Sequence, residues 1–497
     1  MKLIYKEDEG QGCYVESYRE VSSSEHEEVI RDIINQGFSV YEKRENRNAF
    51  TVLQKGNEMR LVAYYPTISE MRVVSEPNSA YFSFKDTPCE EKTVPTVTQI
   101  DLEDYGLSYV VRLCDGRFIV FDGGFEFEPD ADKLLACLKQ KTPHEKPIIA
   151  AWIMTHAHVD HYRCYLVFDR KYHDEVIIER FIYNFPDAVP DAERLPDIMK
   201  RVEHVARFFA AVEKSGAEVY KAHTGQTFSI GGAQMEVISS PDDTFFVPIR
   251  DFNHFSVVIK MTIAGQTILW TADSYMKQAK LAERYGEYLK SDILQTPHHF
   301  FVGGDAAAYS FINPHTCLNP GFEEHSLGVI SPHREYKDAV KRLLYELNVQ
   351  EFYAGGSGNV DLVLPHTPRV GGKQQLLDRI AEIQHGLGAC SWYFDGLTKD
   401  DCDFTVINPI WSDATVYCDL LFEDSKSAVD NIKITVPKKA FKRINLMNPD
   451  DADPEALYYN PSSLGKKGVP DGVEFVAHFK ADRPIIITSK KPAAYKG

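Results

Sequence analysis

Apolar residues first fall at helical spacing in SSSEHEEVIRDIINQG, at Val29, Ile30, Ile33 and Ile34, behind serines suited to capping and ahead of Gly37 as a stop. Four short runs follow, FSVYEK, AFTVLQ, MRLVAYY and EMRVVS, separated by Asn, Gly and Pro, and they predict strands. Together they predict a small α+β module over residues 1–95. From Thr96 the pattern changes to hairpins alternating with longer helices. LSYVVRLCDGRFIVFDGG reads as two strands about an Asp115-Gly116 turn, and DADKLLACLKQKT as a helix with Asp130 as its cap. KPIIAAWIMT reads as a buried strand, PDIMKRVEHVARFFAAVEKSG as a helix, QTFSIGGAQMEVIS as strands and HFSVVIKMTIAGQTILWTAD as a hairpin. A helix at MKQAKLAERYGEYL, the strand SDILQTP and a helix at YKDAVKRLLYEL complete a region over 96–368, where sheets with helices on their outer faces are the natural packing. One more helical run, KQQLLDRIAEIQ, precedes the β-type segments DFTVIN, ATVYCDLLF, NIKITVP, VEFVAHF and PIIITS, which predict a β-rich unit over 369–497.

Length and composition change this picture little. The 497 residues agree with roughly three domains at about 150 residues each. No apolar run approaches the roughly 18 residues needed to span a bilayer, and MKLIYKEDEGQG lacks the basic and apolar regions of a secretory leader, so a soluble, cytoplasmic protein with no membrane partner is expected. Nine scattered cysteines without a CxxC pair argue for reduced thiols and against a cysteine zinc site. A formal charge of −18 repels the phosphate backbone, which argues against long nucleic acid and for a small-molecule substrate. The oligomeric state is not legible.

The chemistry concentrates in MTHAHVDH, residues 154–161. Three histidines and one aspartate within six positions, directly after a buried strand, would leave several polar groups to satisfy at once unless a cation takes their lone pairs. On an extended entry followed by a turn, His156 and His158 point the same way, while Asp160 and His161 reach a second position, a spacing that suits two metals. Asp122, His156, Asp273 and His298 each follow an apolar run, so strand ends gathered at one edge of a sandwich can bring them together.

MTHAHVDH resembles the signature of the metallo-β-lactamase superfamily, whose fold is a four-layered αββα sandwich. DGG at 122–124, TILWTAD ending at Asp273 and DILQTPHH ending at His298 and His299 resemble further superfamily motifs in the right order, so the resemblance covers about residues 96–368. NxxSVV at 253–258, TAD and PHH are most similar to the hydrolase domain of the bacterial competence DNA-uptake channel and to the phosphorylcholine esterase group, both tied to phosphodiester chemistry. The resemblance implies that His156 and His158 hold a first metal, Asp160, His161 and His298 a second, and that Asp273 bridges them, with Asp122 supporting the site from behind. Two departures stand out. The usual HHGS reads HHFF, with Phe300 and Phe301 beside the ligands, and the place of the first metal's third histidine reads SSPDDTF at 239–245. Asn253, His254 or a water fills that gap, with His223 as a weaker candidate.

Two cations about 3.5–4 Å apart can lower the pKa of a shared water toward neutrality, so the expected catalyst is a dinuclear hydroxide, with Asp160 at the reacting centre and His299 as proton donor to the leaving group. The ligand types favour zinc, with manganese or iron open. The expected activity is hydrolysis of a small phosphodiester or related ester, with carboxylic esters or lactones as the alternative and a metal-stabilised binding scaffold as the non-enzymatic reading. YAGGSGN at 353–359 lacks the Lys-Ser/Thr of a P-loop and reads as a turn, while His315, His325 and His333 are weaker candidates for substrate contacts.

Overall fold

The computed structural model describes residues 1–8, 12–85, 92–185, 196–244, 251–328, 334–356, 358–410, 413–423, 429–446 and 473–496, with the side chains of 196–204 and 429–431 and of Arg334 outside the description. Two compact units emerge, Met1–Phe322 with His333–Leu376, and Glu323–Pro332 with Leu377–Gly497.

The first unit holds three sheets. The helix Ser23–Asn35 begins at Ser22, whose side chain and that of Glu25 form a reciprocal capping box, and it lies on a six-stranded antiparallel sheet. The four strands expected there occur at Ser39–Glu45, Ala49–Lys55, Glu58–Tyr65 and Glu70–Glu76. Two more, Lys2–Asp8 and Tyr14–Arg19, extend the sheet and were not read from the sequence, because LIYKED and YVESYR mix charge with β-formers on a half-exposed edge.

Two further sheets form the mixed α/β sandwich. One has eight strands and includes Ser108–Arg112, Phe118–Asp122, Ile148–Met154 and Arg180–Tyr183. The other has seven and includes Ala233–Ser239, Val258–Ile263, Gln266–Trp270, Ile293–Gln295 and Thr316–Phe322. Their inner faces meet where Trp270 stacks on Phe121 at 4.4 Å between ring centroids and tilts against Tyr109. Helices Glu128–Lys141, Val159–Tyr172 and Pro196–Ser215 cover the eight-stranded sheet, and Leu134, Leu138, Tyr165 and Phe168 pack with Trp152 in its core. The Asp115-Gly116 hairpin forms as expected, with Gly116 at φ +85°, where a Cβ would lie 2.3 Å from Pro143 Cγ.

Three expectations need correction. The helix of DADKLLACLKQKT starts at Glu128, so Asp130 lies inside its first turn, buried, accepting the Glu103 N–H rather than capping; burial lifts its carboxyl to about 6. MKQAKLAERYGEYL is helical only at Leu281–Tyr285, followed by a short 3₁₀ turn. Cys13, Cys137, Cys164, Cys317, Cys390, Cys402 and Cys418 form no disulfide, whereas Cys114 is disulfide-bonded.

The second unit carries a seven-stranded β-structure that includes Ala389–Leu397, Asp403–Asn408, Ala414–Phe422 and the long strand Phe475–Ser489, which merges the two C-terminal runs. Its own core contains Trp392, Phe394, Phe404 and Phe479. Among the described residues no helix is long and apolar enough to cross a membrane.

Candidate metal centre

Parallel pairing explains why the distant motifs meet. Strands Phe118–Asp122 and Ile148–Met154 run parallel and adjacent, so Asp122 and the segment from Thr155 leave the sheet at one edge. Strands Gln266–Trp270 and Ile293–Gln295 do the same in the facing sheet, delivering Asp273 and the histidines at 298 and 299. The Val257 N–H donates to the Thr155 carbonyl at 2.9 Å, which ties the edges of the two sheets together.

The helix Val159–Tyr172 begins at the motif, with His158 as its cap and Asp160 in its first turn, where a carboxylate suits the positive end of the helix. Glycine makes this approach possible. Gly124, at φ +101°, donates its N–H to the His161 carbonyl and accepts from the Cys164 N–H, and a Cβ at Gly123 would meet Cys164 Cβ at 3.1 Å.

Two sets of ligand atoms gather here, and Asp273 belongs to both. One set is Asp160, His161, Asp273 and His299, and the other His156, His158 and Asp273. His161 Nε2 lies 3.2 Å from Asp273 Oδ2 and 3.6 Å from Asp160 Oδ2, while His299 Nε2 lies 3.1 Å from Asp160 and 3.4 Å from Asp273. His156 Nε2 is 3.0 Å from His158 Nδ1 and 3.9 Å from Asp273.

Asp122 stands behind these groups. Its carboxylate accepts from the Thr155 N–H at 2.7 Å, the Thr155 hydroxyl at 2.6 Å and His161 Nδ1 at 2.7 Å, which orients the His161 ring with Nε2 toward the centre. Its own φ of +50° lies in the left-handed region, as do Ala272 at +49° and the run His298, His299 and Phe300 at +47°, +51° and +67°. Strained backbone of this kind, of order 1 kcal/mol or more per residue, collects where side chains must be aimed against local preference.

The residues fit a cation. Both oxygens of the buried Asp273 and the Nε2 of the buried His161 find no hydrogen-bond partner in the protein. Burial opposes ionisation of Asp273, yet His161, His299 and His298 together hold it well below the usual carboxylate range. Burial likewise disfavours a charged His161, and Asp273, Asp160 and Asp122 more than reverse that, while burial of His299 is outweighed by Asp273 and Asp160, which raise it to about 9. Two histidine protons thus stand where metal charge would neutralise the carboxylates. His156 and His158 are different: burial first, then like charge from His161, holds His156 well below its ordinary value, and burial brings His158 down to about 4. Those rings are neutral, the form that ligates metal.

Other nominated residues fall differently. His299 rather than His298 supplies a ligand atom to the first set; His298 Nε2 is 3.8 Å from Asp273 and 3.4 Å from Asn253 Nδ2, with a fifth of its side chain exposed. Asn253 is therefore at the centre's edge, held by the Asp251 carboxylate through its N–H. His254 faces Tyr275 and Asp251 and joins neither set. His223 is remote, buried against Asp242 at 3.0 Å and 3.6 Å from Glu76, so the SSPDDTF segment serves that pairing. Phe300 is buried against Phe352, whereas Phe301 and Tyr105 lie against the His299 ring, with Phe125 beside Tyr105. Tyr105, Phe125 and Tyr275 were missed by the sequence reading; each is an aromatic in a loop, with no spacing signal. His315 hydrogen-bonds Thr316 beside His366, His325 falls in the second unit, and His333 lies outside the described residues. In the YAGGSGN turn the Gly356 and Gly358 N–H groups grip the Asp101 carboxylate at 2.6 and 2.9 Å, so this nest holds an internal anion.

No family model and no curated protein matches the chain. Solved structures similar to it include the diiron β-hydroxylase CmlA from Streptomyces venezuelae, at 13% identity and TM-score 0.31, covering 56% of this chain and 55% of that one. A metallo-β-lactamase with an HARLDQ motif from Cronobacter sakazakii matches at 15% identity and TM-score 0.23, covering 38% and 66%. The Anabaena sensory rhodopsin transducer matches at 17% identity and TM-score 0.17, covering 21% of this chain and 96% of its own. The chain spans about half the length of the hydroxylase, and at such scores these likenesses carry no argument about activity.

Proposed function

We propose that the protein is a metal-dependent hydrolase of the metallo-β-lactamase superfamily that acts on a small phosphodiester or related ester through a dinuclear centre. The observation that carries this reading is that Asp273 completes two separate ligand sets at once. Two divalent cations bound there, zinc or alternatively manganese or iron, would bring a shared water to ionise near neutrality and draw charge from an ester oxygen.

The chain's own residues supply the rest. His156 and His158 hold one position and Asp160, His161 and His299 the other, with Asp122 fixing the His161 ring. His299 would be taken up as a ligand, which leaves the leaving-group proton to solvent; His298, adjacent to Asp273 and within reach of Asn253, is held below its ordinary value by burial and stands there as a neutral hydrogen-bonding ring. Asp160 keeps its place beside the reacting atoms as a ligand. The left-handed run from His298 to Phe300 sets the two rings apart.

The test is turnover of bis-p-nitrophenyl phosphate by the full chain loaded with zinc, manganese or iron. Turnover that disappears in Asp273→Asn supports the reading, and silence with all three metals counts against it. A second reading, hydrolysis of carboxylic esters or lactones on the same centre, draws support from the aromatic wall of Tyr105, Phe125 and Phe301, which suits an apolar acyl group. Acyl-ester turnover without phosphodiester turnover selects it.

A further inference from the structure

We propose that the N-terminal module carries a second binding site, independent of the metal centre, for a small organic anion bearing a phosphoryl or carboxylate group. A cleft of about 550 Å³ opens between the first half of the helix Ser23–Asn35 and the strands Ser39–Glu45 and Ala49–Lys55. That volume falls within the roughly 300–1,000 Å³ of small-molecule sites.

Three of its lining side chains are more than nine-tenths buried yet lack partners. His26 Nε2, both amide atoms of Asn48 and the Thr51 hydroxyl make no hydrogen bond in the protein, at exposures of 6%, 2% and 1%. A buried polar group left unpaired costs about 1–3 kcal/mol, so four such atoms in one cleft form a floor with capacity both to donate and to accept. The floor is rigid: the His26 ring stacks on Tyr64 at 4.7 Å with the planes 16° apart, and the Tyr64 hydroxyl donates to the Val21 carbonyl. The Asn46–Asn48 turn closes on itself through the Asn48 N–H to Asn46 Oδ1 and the Asn46 N–H to the Asn48 carbonyl.

Charge at the rim decides the ligand's sign. Lys43 is neutralised by Glu45 at 2.8 Å. Arg31 and Arg47 line the same cleft, and neither meets a carboxylate among the described residues. Glu27 is the remaining acid there, so the rim offers two unpaired guanidinium groups against one carboxylate. Guanidinium groups favour the paired oxygens of phosphate or carboxylate, and a neutral floor of amide, imidazole and hydroxyl suits the hydroxyl, amide or ring nitrogens of the same molecule.

Hydrogen exchange of the full chain, in inorganic phosphate and separately in succinate, tests this. Saturable slowing of at least roughly threefold is expected in peptides spanning residues 23–31 and 43–51, lost in Arg31→Ser and in Asn48→Ala. Anion held at the metal centre would instead slow exchange around residues 156–161, which keeps the two sites distinct. Slowing by phosphate alone assigns a phosphoryl compound, slowing by succinate alone a carboxylate, and slowing by both the shared anionic group. Slowing by neither, or slowing that persists in both variants, overturns the proposal. Arg31 is exposed, so Arg31→Ser keeps the test readable even if Asn48→Ala does not fold.

Discussion

The first unit buries two clusters of charged side chains, and they meet the cost of burial in opposite ways. Around Asp243, each acid has a permanent cation of its own: Arg284 lies 2.7 Å from Asp243, while Arg72 and Lys280 lie 2.8 and 2.6 Å from Glu70. The Tyr65 and Thr224 hydroxyls add donors to Asp243. Around Asp273, the carboxylates Asp122, Asp160 and Asp273 meet histidines, and both Asp273 oxygens lack a hydrogen-bond donor. A cluster that carries its own counter-charges is finished architecture, whereas one that leaves acceptors aimed at a common point is built to receive a cation.

The largest effect expected to break this contrast is at Asp273. Asp273→Asn should lower bound metal from two equivalents to one or fewer and cut turnover by roughly a thousandfold or more, the several kcal/mol that a Lewis-acid centre supplies. Elemental analysis of the purified variant, with steady-state kinetics, checks it. In the self-neutralised cluster, Arg284→Ala should cost about 3–5 kcal/mol of stability by stranding Asp243, and the double change Arg284→Met with Asp243→Leu should recover much of it. Urea unfolding measures both, and metal content should stay at the wild-type level in the double variant. If that double variant loses metal, the two clusters are not independent.

A smaller effect is expected behind the centre. Asp122→Asn keeps the shape but weakens the orientation of His161, so metal affinity should fall by about 10–100-fold, as competition with a chelating dye would show. Smallest is the pH dependence of the buried His223–Asp242 pair. Burial disfavours charge on His223, but Asp242 lifts it well above its ordinary value; burial disfavours charge on Asp242, but His223 holds it below its own. The raised histidine confers stability fully present below about pH 6.5 and lost as pH rises through its higher folded value, and the lowered acid confers stability lost as pH falls below about 4. The unfolding free energy of the wild type should therefore decline more steeply than that of His223→Asn on both sides of that window. Equal slopes would count against the pairing.

Much of this architecture was legible in residue order. Asp122 and His156 follow apolar runs that became adjacent strands of one sheet, and the run before Asp273 became a strand paired with Ile293–Gln295 in the facing sheet. The serines at 22–24 and the stop at Gly37 bracketed the first helix, which runs Ser23–Asn35. Less legible was anything set by backbone in the left-handed region: the turn at His298 and His299 decides which ring enters the Asp160 set, and no spacing rule distinguishes two adjacent histidines there. The aromatic wall of Tyr105 and Phe125 was hidden for a related reason, since loop residues carry no periodicity. His223 shows the reverse error, a histidine near the expected place that a buried acid, not a metal, claims.

Anomalous diffraction from crystals of the full chain grown with zinc tests most directly whether metal binds at Asp273. Two peaks about 3.5–4 Å apart flanking Asp273, one toward His156 and His158 and the other toward His161 and His299, are predicted. Peaks elsewhere, or a single peak that leaves either set of residues without metal at saturating zinc, would contradict it.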